Sequence, residues 1–182
     1  MSSYLQAEIK RVRADIERID GSFFNSRSAD PKQTFSELRM KRGQLLRSII
    51  LELHLSIENI LSAAIGKKLL AGRRIASPAG HALRDLLEDE RSIGFYQKLT
   101  LARALDLVTT SQFKDLLELN SVRNRSSHNW LLDRVARRKI KRSKPKRPVL
   151  RYRGTNLYKT ESFIAFAGHF TKIYLKLWLK HG

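Results

Sequence analysis

Hydrophobic residues recur along this chain at intervals of three and four, the spacing of α-helices that bury one face. The first stripe predicts a helix that ends at Gly21 and a loop to Pro31; its members are Leu5, Ile9, Val12, Ile16 and Ile19. A longer stripe predicts a helix from Phe35 to about Leu70. Thr34 and Glu37 have the spacing of a capping box at its start, and Gly43 is a weak point but not a necessary break.

The second half of the chain carries further helix signals. Ser77-Pro78 predicts the start of a short helix, and Gly94 precedes another amphipathic stretch. Thr109, Thr110 and Ser111 offer caps for a helix that runs through Asn120 and beyond. A closing helix has an aromatic face that we expect in the core or at a dimer surface; it consists of Phe163, Phe166, Phe170, Tyr174 and Trp178.

A basic segment separates the last two helices. From Arg134 to Arg153 there are eleven Lys or Arg residues and no acid, and Pro145 and Pro148 keep the middle out of helix. Residues 149–152 and 157–158 have the pattern of a small hairpin around Gly154. The predicted fold is therefore an all-α helical bundle with a short basic β-hairpin or loop insertion before the last helix.

Charge indicates the kind of partner. The 182 residues hold 36 Lys and Arg against 17 Asp and Glu, a net charge of +19. Such an excess usually meets a polyanion, which is nucleic acid, an anionic membrane face or an acidic protein. No run of about 18 apolar residues occurs, and the N-terminus is charged where a signal peptide is apolar. We therefore expect a cytoplasmic protein that faces nucleic acid, with no membrane partner.

The sequence lacks the residues that several kinds of catalytic and metal site require. Without cysteine the chain has no disulfide, no thiolate zinc site and no Cys nucleophile. No two of the five histidines (54, 81, 128, 169 and 181) are four apart, the spacing that holds a metal from one helix. No glycine-rich phosphate loop and no GxSxG elbow are present. We expect no metal and no cofactor.

One polar cluster remains, in the segment from Leu119 to Trp130. On an unbroken helix, Arg123 and His128 lie about 140° apart and about 7.5 Å along the axis, while Asn124 and His128 share a face. We expect Ser126 and Ser127 to loosen the last turn, so that all three side chains meet one phosphate. Arg suits a phosphate through paired hydrogen bonds, and His suits proton transfer near neutral pH. The alternative is structural: Arg123 ties down a helix end and His128 caps it.

This cluster resembles the signature of the HEPN family, in which an Arg, often followed by a polar residue, precedes a His by four to six residues. The long upstream helix, the segment from Gly94 to Leu99, the motif helix and the closing helix follow the family's order over roughly residues 35–180. The resemblance implies a single HEPN-like domain over 1–182, with an N-terminal helix and loop (1–30) and a basic excursion (134–159).

The resemblance also implies a function. HEPN ribonucleases cleave single-stranded RNA without metal by attack of the 2′-hydroxyl, leaving a 2′,3′-cyclic phosphate, and two protomers pair their motifs. Arg123, Asn124 and His128 would then be the catalytic residues, in a defence or toxin–antitoxin setting with an antitoxin or regulatory partner. HEPN toxins modified by nucleotidyltransferases carry a Tyr two residues after the His; here Trp130 stands there and has no hydroxyl.

Other residues are candidates to assist. We expect the basic excursion to hold RNA through Arg134, Arg137, Arg138, Lys139, Lys141, Arg142, Lys144, Lys146 and Arg147. Tyr152 and Tyr158 could stack on bases or be structural. His54 and Glu58 share a helix face. They could face the motif residues and support them, or simply form a polar patch. The alternative functions are a non-catalytic HEPN-like module that binds nucleic acid or regulates, and a partner-binding protein whose basic run an acidic protein covers.

Overall fold

The structure is a computed structural model. It describes the backbone of residues 2–25, 31–70, 77–89, 92–139 and 150–181. Side-chain environments are described for residues 3–21, 40–70, 77–87, 89, 92–127 and 150–181.

The described residues form helices and one small hairpin, which confirms the predicted all-α helical bundle with a hairpin before the last helix. The elements are α1 (Ser2–Asn25), α2 (Pro31–Leu69), α3 (Pro78–Glu88), α4 (Phe95–Ala104), α5 (Thr110–Lys139), β1 (Arg151–Tyr152), β2 (Thr155–Asn156) and α6 (Thr160–His181).

Two predicted helix boundaries are wrong. α1 continues through Gly21 to Asn25, because a single glycine costs a helix only about 1 kcal/mol. α2 is already helical at Pro31, so Thr34 lies inside the helix and is not its N-cap. Proline at a first helical position needs no hydrogen-bonded N–H and has the φ of a helix, which makes Pro31 the better start signal.

The other helix starts agree with the sequence pattern. The Ser77 hydroxyl accepts a hydrogen bond from the backbone N–H of Gly80 (3.2 Å), with Pro78 as the first helical residue. At the start of α5, the Thr109 N–H donates to Gln112 Oε1 (2.8 Å) and the Gln112 N–H donates to Thr109 Oγ1 (3.2 Å). This reciprocal pair is a capping box and fixes where α5 begins.

The hairpin is present, with its turn earlier than the pattern indicated. Arg151 pairs with Asn156 and Tyr152 with Thr155, so the two-residue turn is Arg153-Gly154. Both turn residues have positive φ, +46° and +77°, as a type I′ turn requires. Because side chains alternate along a strand, Tyr152 is buried while Arg151 and Arg153 are exposed.

The chain folds into two compact units. Unit 1 comprises residues 1–51 and 122–171, and unit 2 comprises residues 52–121 and 172–182. The predicted single domain over 1–182 stays a prediction. α2, α5 and α6 each contribute one end to each unit.

Unit 1 packs around the first half of the aromatic face of α6. Phe163, Phe166 and Phe170 are fully buried, and the ring of Tyr152 meets those of Phe166 and Phe170 edge-on at 5.2 and 5.4 Å between centroids. These positions confirm the predicted core role of the aromatic face in this unit. They also make Tyr152 a core residue, so of the two alternatives for this tyrosine the structure supports the structural one.

Polar contacts tie the elements of unit 1 together around Arg42. Its guanidinium donates to the Tyr158 carbonyl and to Thr160 Oγ1 (2.8 Å), and its Nε lies 3.4 Å from a carboxylate oxygen of Asp20. Arg13 forms a two-bond ion pair with Glu161 at 2.8 and 3.0 Å. α1, α2 and the start of α6 are thereby held in register.

Unit 2 has an aliphatic core with a polar centre. Ile57, Leu61 and Ile65 of α2 are buried, as are Leu99 of α4 and Leu116 of α5. At the end of α6 Leu177 is buried, while half of the Trp178 surface is exposed (51%). Trp178 therefore does not continue the buried aromatic face.

One stretch among the described residues, Met40–Leu69 of α2, is long and apolar enough to cross a membrane by length and composition. The buried core helices of soluble proteins can be equally long and apolar, and 44% of the most apolar part of this stretch is buried inside the protein. This is weak evidence for a membrane span, and the absence of a membrane partner stays a prediction.

The Arg13–Glu161 pair predicts a pH dependence of stability. The hydrogen bonds and charge of Arg13 hold the pKa of the Glu161 carboxyl below its ordinary value of 4.5. A lowered folded-state pKa stabilises the fold above the unfolded-state pKa, and this contribution is lost as the pH falls through the folded value. We expect E161Q to melt below wild type at neutral pH, with the difference closing below about pH 4. Thermal melts across this range test it, with the exposed D85N as control; a difference independent of pH would contradict it.

Candidate functional site

α5 stays helical from Thr110 to Lys139, through the whole Arg-Asn-His motif. The expected loosening at Ser126 and Ser127 is wrong. Both hydroxyls instead donate to the backbone carbonyl of Arg123, at 2.8 and 3.0 Å, a bond that serine forms readily inside helices. The motif is therefore displayed on a regular helix.

The helix separates its residues into a buried and an exposed face. Val122 and Ser126 are buried, whereas Ser121, Asn124 and Arg125 are exposed. At about 100° per residue, position 128 lies in register with this exposed face, about 40° from Asn124 and about 60° from Arg125. The His128 side chain is outside the described side chains, so the meeting of Arg, Asn and His at one phosphate stays a prediction.

Arg123 lies at the border of these two faces. Its Nη1 donates to Asn124 Oδ1 at 3.1 Å, which turns the guanidinium toward the exposed side. Its Nε is shielded from solvent and has no hydrogen-bond partner among the described residues, where no ion pair to Arg123 occurs either. An unsatisfied buried N–H costs about 1–3 kcal/mol, so the position of Nε is unfavourable, while Nη1 lies on the exposed side of the helix.

The predicted RNA-binding residues fall in two groups. Arg134, Arg137, Arg138 and Lys139, at the start of the predicted basic excursion, lie on the last turns of α5. Lys141, Arg142, Lys144, Lys146 and Arg147 lie outside the described residues. The role of both groups in holding RNA stays a prediction.

A contact that sequence reasoning missed joins α5 to the hairpin. Arg125 Nη2 donates to the backbone carbonyl of Arg151 at 3.2 Å. The Arg153 guanidinium lies 5.2 Å from the centroid of the Tyr152 ring, within the range of a cation–π interaction. The local signal was the sequence Arg-Tyr-Arg before a glycine, but spacing alone could not show that the Arg151 carbonyl lies beside α5.

His54 and Glu58 belong to a buried polar network in unit 2. His54 Nε2 lies 3.2 Å from Asn120 Oδ1, and the His54 ring packs against Phe95 at 4.2 Å between centroids. Glu58 accepts a hydrogen bond from Lys98 Nζ at 2.7 Å, and its other carboxylate oxygen lies 3.7 Å from His54 Nδ1. Asn120 precedes Arg123 by three residues on α5. The described contact of His54 is therefore one helical turn before the motif, and a role for the pair in function stays a prediction.

Other histidines have separate environments. His181 contacts the Leu107 carbonyl at 3.1 Å, His169 packs on Phe170, and His81 is exposed. Among the described residues, no group of three His, Asp or Glu could hold a metal ion.

Comparison of the chain with protein-family models, with curated proteins and with solved structures finds no match.

The Lys98–Glu58 pair predicts a large single-mutant effect. Both side chains are nearly fully buried, and removing one partner of a buried ion pair typically costs about 3–5 kcal/mol because the other charge stays buried. We expect K98M to lower the free energy of unfolding by about this amount and E58M/K98M to regain most of it. Denaturant titrations measure both, with the exposed K172M as control. Equal losses in the single and double variants would contradict the account.

Proposed function

We propose that this protein is a metal-independent endoribonuclease of the HEPN type that cleaves single-stranded RNA. The observation that carries the proposal is the placement of Arg123, Asn124 and position 128 on one unbroken helix, with Arg123 bonded to Asn124 and given no ion pair within the described part of the chain. Neither acid that brackets this segment, Glu118 or Asp133, lies within four residues of Arg123 or His128. A phosphodiester is the ligand that such a set of donors fits.

The reaction needs proton transfer and charge stabilisation. The substrate's own 2′-oxygen attacks the adjacent phosphorus, the bond from phosphorus to the 5′-oxygen breaks, and the products carry a 2′,3′-cyclic phosphate and a 5′-hydroxyl. One proton leaves the 2′-hydroxyl and one is added to the departing 5′-oxygen. DNA has no 2′-hydroxyl and is not cleaved.

Each motif residue has a role in this scheme. Arg123 donates to the phosphate oxygens as negative charge grows on them, which is where fixed donors accelerate a reaction most. His128 transfers a proton as general acid or base, since its ordinary pKa near 6.5 suits both directions. Asn124 holds the Arg123 guanidinium through the 3.1 Å hydrogen bond and can itself donate to the phosphate.

The proposal includes the setting of the enzyme. We infer a cytoplasmic homodimer that pairs two motifs across one groove, acting in defence or as a toxin with an antitoxin or regulatory partner. The resemblance of the motif supports the dimer and the setting. Since Trp130 has no hydroxyl, restraint of the enzyme does not use nucleotide transfer to that position.

A non-catalytic nucleic-acid-binding module is the second candidate. The observation that favours it is the exposed arginine surface formed by Arg125, Arg151 and Arg153, which needs no catalysis to bind a polyanion. It predicts salt-dependent RNA binding without products.

Incubation of the purified protein with single-stranded RNA in EDTA tests the nuclease proposal. We expect cleavage by wild type and a loss of at least about 100-fold in rate for H128A and for R123A, since each removes proton transfer or charge stabilisation.

The matched controls are H81A and R18A, which remove an exposed histidine and an exposed arginine elsewhere. Full activity in H128A or R123A would remove that residue from the mechanism, and RNA binding without any cleavage by wild type would favour the second candidate.

A further inference from the structure

The hairpin has two exposed arginines and one buried aromatic side chain. Arg151 and Arg153 are exposed on either side of the buried Tyr152, whose ring contacts Phe166 and Phe170 in the core of unit 1. The burial of Tyr152 fixes which way the strand is turned, because a shift by one residue would exchange the two faces. The exposure of Arg151 is thus a consequence of packing, while Arg153 is exposed at the turn, with its guanidinium 5.2 Å from the centroid of the Tyr152 ring.

Arg125 connects this hairpin to the motif segment of α5. Its hydrogen bond to the Arg151 carbonyl brings the Arg125 guanidinium against the backbone of the hairpin. Arg125 is also exposed and precedes position 128 by three residues, which places the two positions on neighbouring parts of the helix surface. Two of these exposed arginines thus lie on the hairpin and the third on the segment of α5 that contacts it.

The residue at the turn of the hairpin is unusual. Arg153 has a φ of +46° at the first position of a type I′ turn, where Asn, Asp or Gly is strongly preferred. A side chain such as Arg costs roughly 1–2 kcal/mol in this conformation. Strained residues concentrate at functional positions, and the Arg153 guanidinium also lies 5.2 Å from the centroid of the Tyr152 ring.

We propose that Arg125, Arg151 and Arg153 form a phosphate-binding surface that holds the backbone of single-stranded RNA next to the scissile phosphodiester. This proposal rests on the nuclease function and names how its substrate is held. Planar guanidinium groups match phosphate oxygens, and the segment from Arg134 to Thr160, which includes Arg151 and Arg153, contains no Asp or Glu in its sequence. An acidic protein is the competing partner, and the RNA is favoured because the surface borders the proposed cleavage site.

Binding to a strand that cannot be cleaved tests the surface separately from catalysis. The probe is a fluorescein-labelled oligothymidylate, followed by anisotropy at several salt concentrations. Each phosphate contact to a single strand contributes a slope of about −0.7 in log affinity against log salt. At about 0.1 M salt this amounts to about fivefold in affinity for each contact. We expect R153N to lose about fivefold, and R151A/R153N to lose about 25-fold with a slope shallower by about 1.4.

Two variants serve as controls. R153N replaces the strained arginine by a residue that favours the turn, so its Tm should be no lower than that of wild type and a loss of binding is not a loss of folding. K172A/K176A removes two exposed charges from α6 and should change the affinity far less than R151A/R153N does.

Cleavage kinetics separate this surface from the chemical step. On single-stranded RNA we expect R151A/R153N to raise KM with kcat unchanged, because the lost contacts hold phosphates other than the reacting one. If R151A/R153N loses affinity for DNA but the wild-type protein cleaves no RNA, the results would support the phosphate-binding surface and contradict the nuclease proposal. Affinity equal to that of K172A/K176A, or a fall in kcat at constant KM, would overturn the surface.

Discussion

The candidate site depends on the continuity of the backbone hydrogen bonds of α5 from Thr110 to Lys139. The helix starts at a reciprocal Thr109–Gln112 cap and contains neither glycine nor proline. Since each residue turns the chain by about 100°, the order of residue types alone decides that Val122 and Ser126 are buried and Asn124 is exposed. A break in this helix would change the spacing of the motif, and no chemistry could then be argued from it.

Each compact unit contains a polar bond to α5 near the motif. In unit 2, His54 meets Asn120 beside the buried Lys98–Glu58 pair. In unit 1, Arg125 bonds to the hairpin carbonyl of Arg151. Buried polar groups are costly unless they are satisfied, so the part-buried His54–Asn120 contact restricts the rotation of α5 about its axis at Asn120. Within unit 1, the burial of Val122 and Ser126 sets the direction of the exposed face that carries Asn124.

The sequence pattern predicted the helices well and their ends less well. Apolar periodicity located α2, α5 and α6 and the buried phenylalanines of α6, because burial requires one continuous face. The helix end predicted at Gly21 is wrong because a glycine inside a helix lowers its stability only slightly. The helix start predicted from Thr34 and Glu37 is wrong because Pro31 starts that helix earlier. The motif residues could be identified from the sequence by their residue types and spacing. The Arg125–Arg151 contact could not, because it joins residues 26 apart in the chain. The burial of Tyr152 likewise depends on Phe166 and Phe170, which only the folded chain brings to it.

The ends of the RNA products test the central claim most directly. Mass spectrometry of the fragments distinguishes a 2′,3′-cyclic phosphate from a linear phosphate, because the cyclic form is lighter by one water. Attack by the substrate's own 2′-oxygen predicts cyclic phosphate on one fragment and a 5′-hydroxyl on the other, with no cut at a linkage that follows a 2′-deoxynucleotide. Fragments with a 3′-hydroxyl and a 5′-phosphate, or cleavage at the deoxy position, would contradict an Arg–Asn–His site that works on the phosphodiester in this way.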